Sequence, residues 1–289
     1  MASYSRRVPE DVSGAFFVDS SCIDCDTCRW LAPATFGAAD DHAFVASQPA
    51  SPDERRRALM ALVACPTGSI GTTDSIDVSE AIAAFPLPIE ENVFHAGFHA
   101  ESSYGATSYF VQRGPGRNLL VDSPRFARPL VRRLEEMGGV SRMFLTHRDD
   151  VADHRKFRDH FRCERILHRD DVTASTRDVE IVLEGGDPVS LDEELLAVPV
   201  PGHTRGSTCL LYRDTFLFSG DHLAWSEEDH RLLAFRDACW FDWARQRDSM
   251  ARLAQHRFEW VLPGHGRRHR LPASEMRAAL ARCVAWMDE

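Results

Sequence analysis

Lysine is almost absent from this chain: Lys156 stands alone against 33 arginines. Long apolar runs are missing too. No stretch of about 18 apolar residues occurs, so a membrane span is not expected. The opening MASYSRRVPEDVSGAFF lacks the apolar heart of a secretory signal, and a cytoplasmic location is expected. There is no basic excess either. A net charge of -10 opposes general nucleic-acid binding, which needs a positive footprint, and leaves small molecules and basic protein surfaces as partners. No internal repeat or low-complexity tract stands out. The 289 residues suffice for a full core in one or two domains.

Eight cysteines fall into two groups. Cys163, Cys209, Cys239 and Cys283 are scattered, as buried small hydrophobes are. Cys22, Cys25 and Cys28 follow one another at three-residue spacing, and Cys65 comes 37 residues later, directly before Pro66. In a cytosolic chain such a cluster points to metal, not disulfides. Structural zinc usually takes two close cysteine pairs, whereas a triple run with one remote cysteine suits the corner irons of a cubane. The segment from about residue 14 to 75 resembles a single-cluster [4Fe-4S] ferredoxin domain, with Cys22, Cys25, Cys28 and Cys65 as cluster ligands. Ala32 stands where a two-cluster ferredoxin carries a further cysteine, so one cluster is expected. The resemblance implies a redox partner protein at this domain.

Around these cysteines, FFVD (16–19) reads as a strand. Residues 52–64 read as a helix, with Ser51 as N-cap, Pro52 at the first position, and Asp53 and Glu54 in the first turn. IAAFPLPIEEN (82–92), with two prolines, reads as a linker. The expected domains are 1–80, a linker over 81–92, and 93–289. Beyond the linker, apolar runs such as NLLVDS, RMFLT, LLAVPV, TCLLY and TFLFSG read as strands. Helices are expected over 125–137, 152–161, 241–256 and 273–287 from apolar residues three and four apart. The expected class is α/β (α+β): stacked sheets covered by helices, not a doubly wound parallel sheet.

In this second part, apolar runs end on polar ligand-type residues in four places: THRDDVADH (146–154), VPGHTRGS around His203, FSGDH around Asp221, and LPGHG around His265. Together they resemble the metallo-β-lactamase superfamily over about residues 90–270, with its αββα sandwich. The resemblance implies two divalent metals, zinc or iron or manganese. His147 and His203 match ligands of the first metal, Asp153, His154 and His265 match ligands of the second, and Asp221 bridges both. It also implies a metallo-hydrolase acting on a small molecule, with metal-activated water attacking an ester, thioester, lactam or phosphoester. Asp153 and Asp221 take the catalytic roles there.

The first motif departs from the family pattern. The usual His-x-His-x-Asp-His becomes His147-x-Asp149-Asp150-x-x-Asp153-His154, with two residues inserted and the second histidine gone. Asp149 keeps the two-residue offset and is preferred over Asp150 as the replacement; the other reading makes both of them loop residues. A ligating Asp149 adds a hard anionic oxygen and shifts preference from zinc toward iron or manganese. It resembles the diiron branch of the superfamily, the flavodiiron proteins. The second reading is therefore an iron-dependent oxidoreductase fed by the ferredoxin domain, and a third is a non-enzymatic scaffold docking a redox partner. Among smaller features, His222, next to Asp221, reads either as a support of the metal ligands or proton carrier or as a packed or solvated histidine, His95 and His99 are expected as exposed loop histidines, and Arg205 reads as a surface arginine able to hold an anion. Tyr104 and Ser103 precede a strand that often faces substrate in this superfamily.

Overall fold

The computed structural model describes residues 2–289. These divide into two compact units. One runs to Asn118 and takes in Pro124–Val140; the other is Leu119–Ser123 with Ser141–Glu289.

The first unit opens with β1 (Phe16–Val18), α1 (Thr27–Leu31), β2 (Phe36–Ala38), β3 (Ala43–Val45), α2 (Pro52–Ala64) and β4 (Ile70–Thr72). β1 pairs antiparallel with β4, and β2 with β3. α2 forms where its caps predict. The Ser51 hydroxyl accepts the Glu54 N–H and the Glu54 carboxylate accepts the Ser51 N–H, so two helix-end donors are satisfied at once. Its buried face is Ala58, Leu59, Met60, Ala61, Val63 and Ala64. The small residues there allow close approach to the cysteine loops.

The expected linker is ordered structure. α3 (Ser79–Ala83) and β5 (Leu87–Glu90) occupy most of it, and β5 pairs antiparallel with β6 (Val93–His95), which pairs with β7 (Tyr109–Val111). An end strand has one side free of ladder bonds, so β5 tolerates Pro88. α4 (Arg128–Glu136), with Pro129 in its first turn, completes the unit and buries Leu130, Val131 and Leu134 at helical spacing.

In the second unit, β8 (Leu119–Val121), β9 (Arg142–Phe144), β10 (Glu164–His168) and β11 (Ile181–Leu183) run parallel, with α5 (His154–Phe161) between β9 and β10. Leu119–Val121 and Met143–Leu145 are fully buried, the unbroken apolar pattern of strands covered on both faces. A second sheet has the order β12 (Val189–Ser190), β13 (Leu195–Pro199), β14 (Thr208–Tyr212), β15 (Phe216–Gly220), β18 (Trp260–Pro263) and β19 (His269–Arg270). Its pairs are antiparallel except β15 with β18. A hairpin of β16 (Ala224–Ser226) and β17 (Arg231–Leu233) lies outside that sheet.

α6 (Trp243–Leu253) is capped by Asp242, whose side chain accepts the Arg245 N–H. α7 (Ala273–Met287) buries Met276, Ala279, Leu280, Cys283 and Met287, and shares one core with α6, β14 and β15. Met276, Leu280 and Met287 each contribute about 1.5–3 kcal/mol by leaving water. Cys163, Cys209 and Cys283 are buried as expected, whereas Cys239 is only half-buried, its thiol 3.2 Å from the Gly202 carbonyl. No helix among the described residues is long and apolar enough to cross a membrane.

Candidate metal centre

Two ligand constellations emerge, one in each unit. In the first, Cys22, Cys25, Cys28 and Cys65 all line one cavity. Positive φ at Asp24 and Asp26 curls the loop so that every third residue, Cys22, Cys25 and Cys28, faces the cavity, and Arg29 pins both aspartates at 2.5 and 2.6 Å. Cys28 is carried by α1. Cys65 ends α2, which is how a residue so remote in sequence reaches the same cavity. Burial, and then the neighbouring thiols, push Cys25 up to about 11 and Cys28 well above the usual thiol range.

Four converging sulfurs, two of them on buried cysteines, cannot all ionise beside one another without a cation-rich group between them. The donor set therefore fits a [4Fe-4S] cluster, which takes one thiolate per corner. The Ala43 N–H points at Cys22 Sγ at 3.4 Å, and the Thr27 hydroxyl lies 3.5 Å from Cys25 Sγ, where it can donate to a thiolate.

His95 and His99 correct the expectation of exposed loop residues. Both are buried, with their Nε2 atoms 2.8 Å apart. His99 Nδ1–H donates to the Gly105 carbonyl at 2.6 Å and also approaches the Thr27 hydroxyl at 3.3 Å. Gly105 lies so close to Cys25 that a Cβ there would sit 2.6 Å from the cysteine's own. Four residues apart, the two histidines read as a loop pair; the Trp30 ring packs against both, and Phe85 against His95, which the local spacing does not reveal.

In the second unit, β9, β15 and β18 each lead into a candidate ligand: His147, Asp221 and His265. His203 follows β13 through a short loop. His147 Nε2 stands 4.0 Å from Asp149 Oδ2 and 3.7 Å from Asp221 Oδ2. His203 Nε2 stands 3.6 Å from Asp149 Oδ2 and 3.8 Å from Asp221 Oδ2. Donors on a tetrahedron of bonds about 2.1 Å long are separated by about 3.4 Å, so the group His147, Asp149 and His203 is close to the spacing that one metal ion needs.

Asp150 is the second surprise. Its side chain is buried, its Oδ2 is 4.0 Å from His147 Nε2, and with His147 and Asp221 it forms a further three-donor group. His265 Nδ1 lies 2.8 Å from Asp221 Oδ2. Both aspartates of the altered motif are thus brought to the site, Asp149 on its open side and Asp150 within.

The structure does not bring Asp153 and His154 there. The two inserted residues carry the chain onward, so that Asp153 heads α5 and pairs with Lys156 at 2.8 Å. His154 turns toward β10, where its Nδ1 accepts from the fully buried Arg165 at 3.1 Å. Arg165 is itself held by Glu180 at 2.9 Å.

Burial, and then Arg165, push the His154 imidazole down to about 4 from an ordinary 6.5. Between those values the unfolded chain takes up a proton that the fold refuses, so stability falls as pH drops through that window. A His154→Gln variant is expected to flatten the decline of melting temperature from pH 6.5 to 4 and to keep its full metal content. Metal loss would restore His154 as a ligand.

Supporting residues aim the donors. His203 Nδ1–H donates to the Ala238 carbonyl at 2.6 Å, which directs Nε2 inward. Asp122 accepts the Thr146 N–H at 2.7 Å and its hydroxyl at 2.9 Å, fixing the strand end before His147. Burial pushes the Asp122 carboxyl up to about 7. Asp171 accepts from the Arg148 and Gly206 N–H groups and the Thr204 hydroxyl, tying the two ligand loops together.

Burial and then the Asp221 charge hold the Asp150 carboxyl well above the usual range. Burial opposes the Asp221 charge as well, but His265, His147 and His203 hold that carboxylate well below it. Among the described residues, His147 Nε2, His203 Nε2 and Asp150 Oδ2 are buried without hydrogen-bond partners. A cation among them would satisfy all three at once. Gly264 is required here, since a Cβ would lie 2.6 Å from Asp150 Oδ2 and 2.7 Å from Asp221 Oδ1. Gly264→Ala is expected to weaken metal retention at the site at least tenfold, read by dialysis against a chelator; retention equal to wild type would mean that the carboxylates can give way. Of the smaller candidates, His222 and Ser103 are buried, Tyr104 is exposed, and Arg205 stacks on Phe241.

Residues 18–72 match the 4Fe-4S single cluster domain of Ferredoxin I. No curated protein sequence matches the chain. Among solved structures, the metallo-β-lactamase FIM-1 from Pseudomonas aeruginosa in its mono-zinc form is similar with a TM-score of 0.52 and 17% identity, over 69% of this chain and 93% of that one. A metallo-β-lactamase from Staphylococcus aureus subsp. aureus COL is similar with a TM-score of 0.51 and 16% identity, over 68% of this chain and 67% of that one. The chain thus joins an N-terminal single-cluster ferredoxin-type domain to a metallo-β-lactamase fold.

Proposed function

We propose that this chain is an iron-dependent oxidoreductase, in which the second unit holds iron at His147, Asp149, His203 and Asp221 and the ferredoxin-type domain supplies electrons. The observation that carries this reading is Asp149. Its carboxylate faces both His147 and His203, and the Asp221 carboxylate faces the same two imidazoles. Two histidines with carboxylate oxygen are a donor set suited to non-haem iron, and hard oxygen ligands stabilise its higher oxidation state. Iron there would supply one-electron chemistry toward a small oxidant, a role that calls for an electron source; hydrolysis calls for none.

The chain's own residues orient and shield that chemistry. Thr146 and Asp122 fix His147, the Ala238 carbonyl fixes His203, and Asp171 holds the two loops in register. Asp149 is half-exposed and marks the side from which a small molecule arrives. The Trp240 ring, 6.3 Å from that of His203 and largely exposed, covers part of the same approach.

A second reading, a dinuclear hydrolase, is favoured by one further observation: Asp150, Asp221 and His265 offer a second donor group beside the first. Two divalent ions would then share Asp221 and activate water for attack on an ester, thioester, lactam or phosphoester. Metal analysis after anaerobic purification separates the readings. In a Cys22→Ala variant about four irons should disappear with the cluster while iron stays at the histidine site. A variant that keeps two zincs and no iron would sink the oxidoreductase and leave the hydrolase standing.

A further inference from the structure

We infer that the second unit carries a binding groove for a phosphomonoester on an aromatic or apolar body, beside the loop that bears His203. The groove has a volume of about 480 Å³ and is lined by Pro199, Pro201, Phe241, Arg205 and Arg245, with the Arg169–Glu184 ion pair and Asp170 on the far wall.

Among the described residues, two of its three arginines are not drawn into ion pairs. Arg205 stacks on Phe241, its guanidinium 5.0 Å from the ring centroid, and the Arg245 guanidinium meets no carboxylate. The third, Arg169, is taken up by Glu184 at 2.8 Å. In a chain with 44 acidic and 34 basic residues, two unneutralised guanidinium groups sharing one groove repel each other and attract a dianion.

A guanidinium fork matches the oxygen spacing of phosphate, and stacking on Phe241 limits the freedom that Arg205 would lose on binding. Pro199, Pro201 and Phe241 give the groove an apolar stretch beside these cations. Phe241 is 40% exposed and adjacent Trp240 61%, aromatic surface available to the body of such a ligand. Asp170 repels a second anionic group and so favours a single phosphate at one end.

The groove is coupled to the metal loop by the backbone. Arg205 lies two residues past His203, and the Phe241 N–H donates to the His203 carbonyl at 3.1 Å. A ligand held by its phosphate here would present its other end toward His203. That last step rests on reading the second unit as a metal site; binding in the groove does not.

The test is equilibrium titration of the metal-loaded full chain with phenyl phosphate, benzoate, inorganic phosphate and phenol, followed by calorimetry. Phenyl phosphate is expected to bind saturably and more tightly than the other three, and Arg205→Ala and Arg245→Ala are each expected to weaken it about tenfold with metal content unchanged. Binding should persist in an Asp221→Ala protein. Binding that disappears with Asp221 but ignores both arginines would place the phosphate on the metal and overturn the groove. Tighter binding of benzoate would overturn the assignment to phosphate, and absence of saturable binding would overturn the site altogether. Each outcome is read without activity, so it stands apart from whether the metal site is redox or hydrolytic.

Discussion

An Asp221→Ala protein is expected to emerge with its second unit stripped of metal and its visible cluster absorbance intact. Asp221 faces donors of both groups: His147 and His203, Asp150, and His265 through a 2.8 Å contact. Those three histidines hold its carboxylate charged against burial. Removal deletes a candidate ligand and leaves two buried imidazoles and a half-buried one without that anion, so affinity should fall by more than about 100-fold, beyond the loss typical of an outer-sphere change. The readout is metal per chain after gel filtration, with the cluster as internal standard. Loss of both groups together would show that the two sites do not load independently.

The second large effect concerns Cys28. It sits in α1 between Thr27 and the core residue Leu31, deeper than the other cysteines of the run. Cys28→Ala should abolish the cluster outright, because a buried corner of the cubane offers water no route to serve as substitute ligand. Binding free energy at such sites is folding free energy, so the melting transition of the first unit should also move down. About four irons per chain should be lost, while metal at the histidine site stays. A Cys28→Ala protein with undiminished visible absorbance would mean that the cubane is not held by these four sulfurs.

Much of this was readable in the sequence, and the reasons are local. Ser51, Pro52 and Glu54 announce α2 because capping is decided within four residues. The four ligand motifs announce strand ends because each apolar run stops at a polar residue. What could not be read depends on distant backbone. Asp122 and Asp171 look like ordinary turn aspartates, yet both are buried and hold ligand loops, through partners 24 and 33 residues away for their side-chain hydroxyl contacts. The VDS following a wholly apolar run was the only hint of Asp122. Nothing in RDDV signalled Asp171.

The altered motif shows the same limit from the other side. Spacing favoured Asp149 over Asp150, and the fold brings both to the site, because a tight bend after His147 turns one carboxylate outward and the next one in. Spacing also carried Asp153 and His154 along by analogy. The insertion instead spends them on the start of α5 and on Arg165, a buried cation that no local pattern could have placed beside them.

The central claim is that the histidine–aspartate site holds redox-active iron. Mössbauer spectra of anaerobically purified, iron-57-enriched protein, before and after dithionite, test it most directly. The account predicts a high-spin iron component separate from the cubane, present in the Cys22→Ala variant and shifting valence on reduction. Spectra containing cluster iron alone, with zinc filling the histidine site, would contradict it.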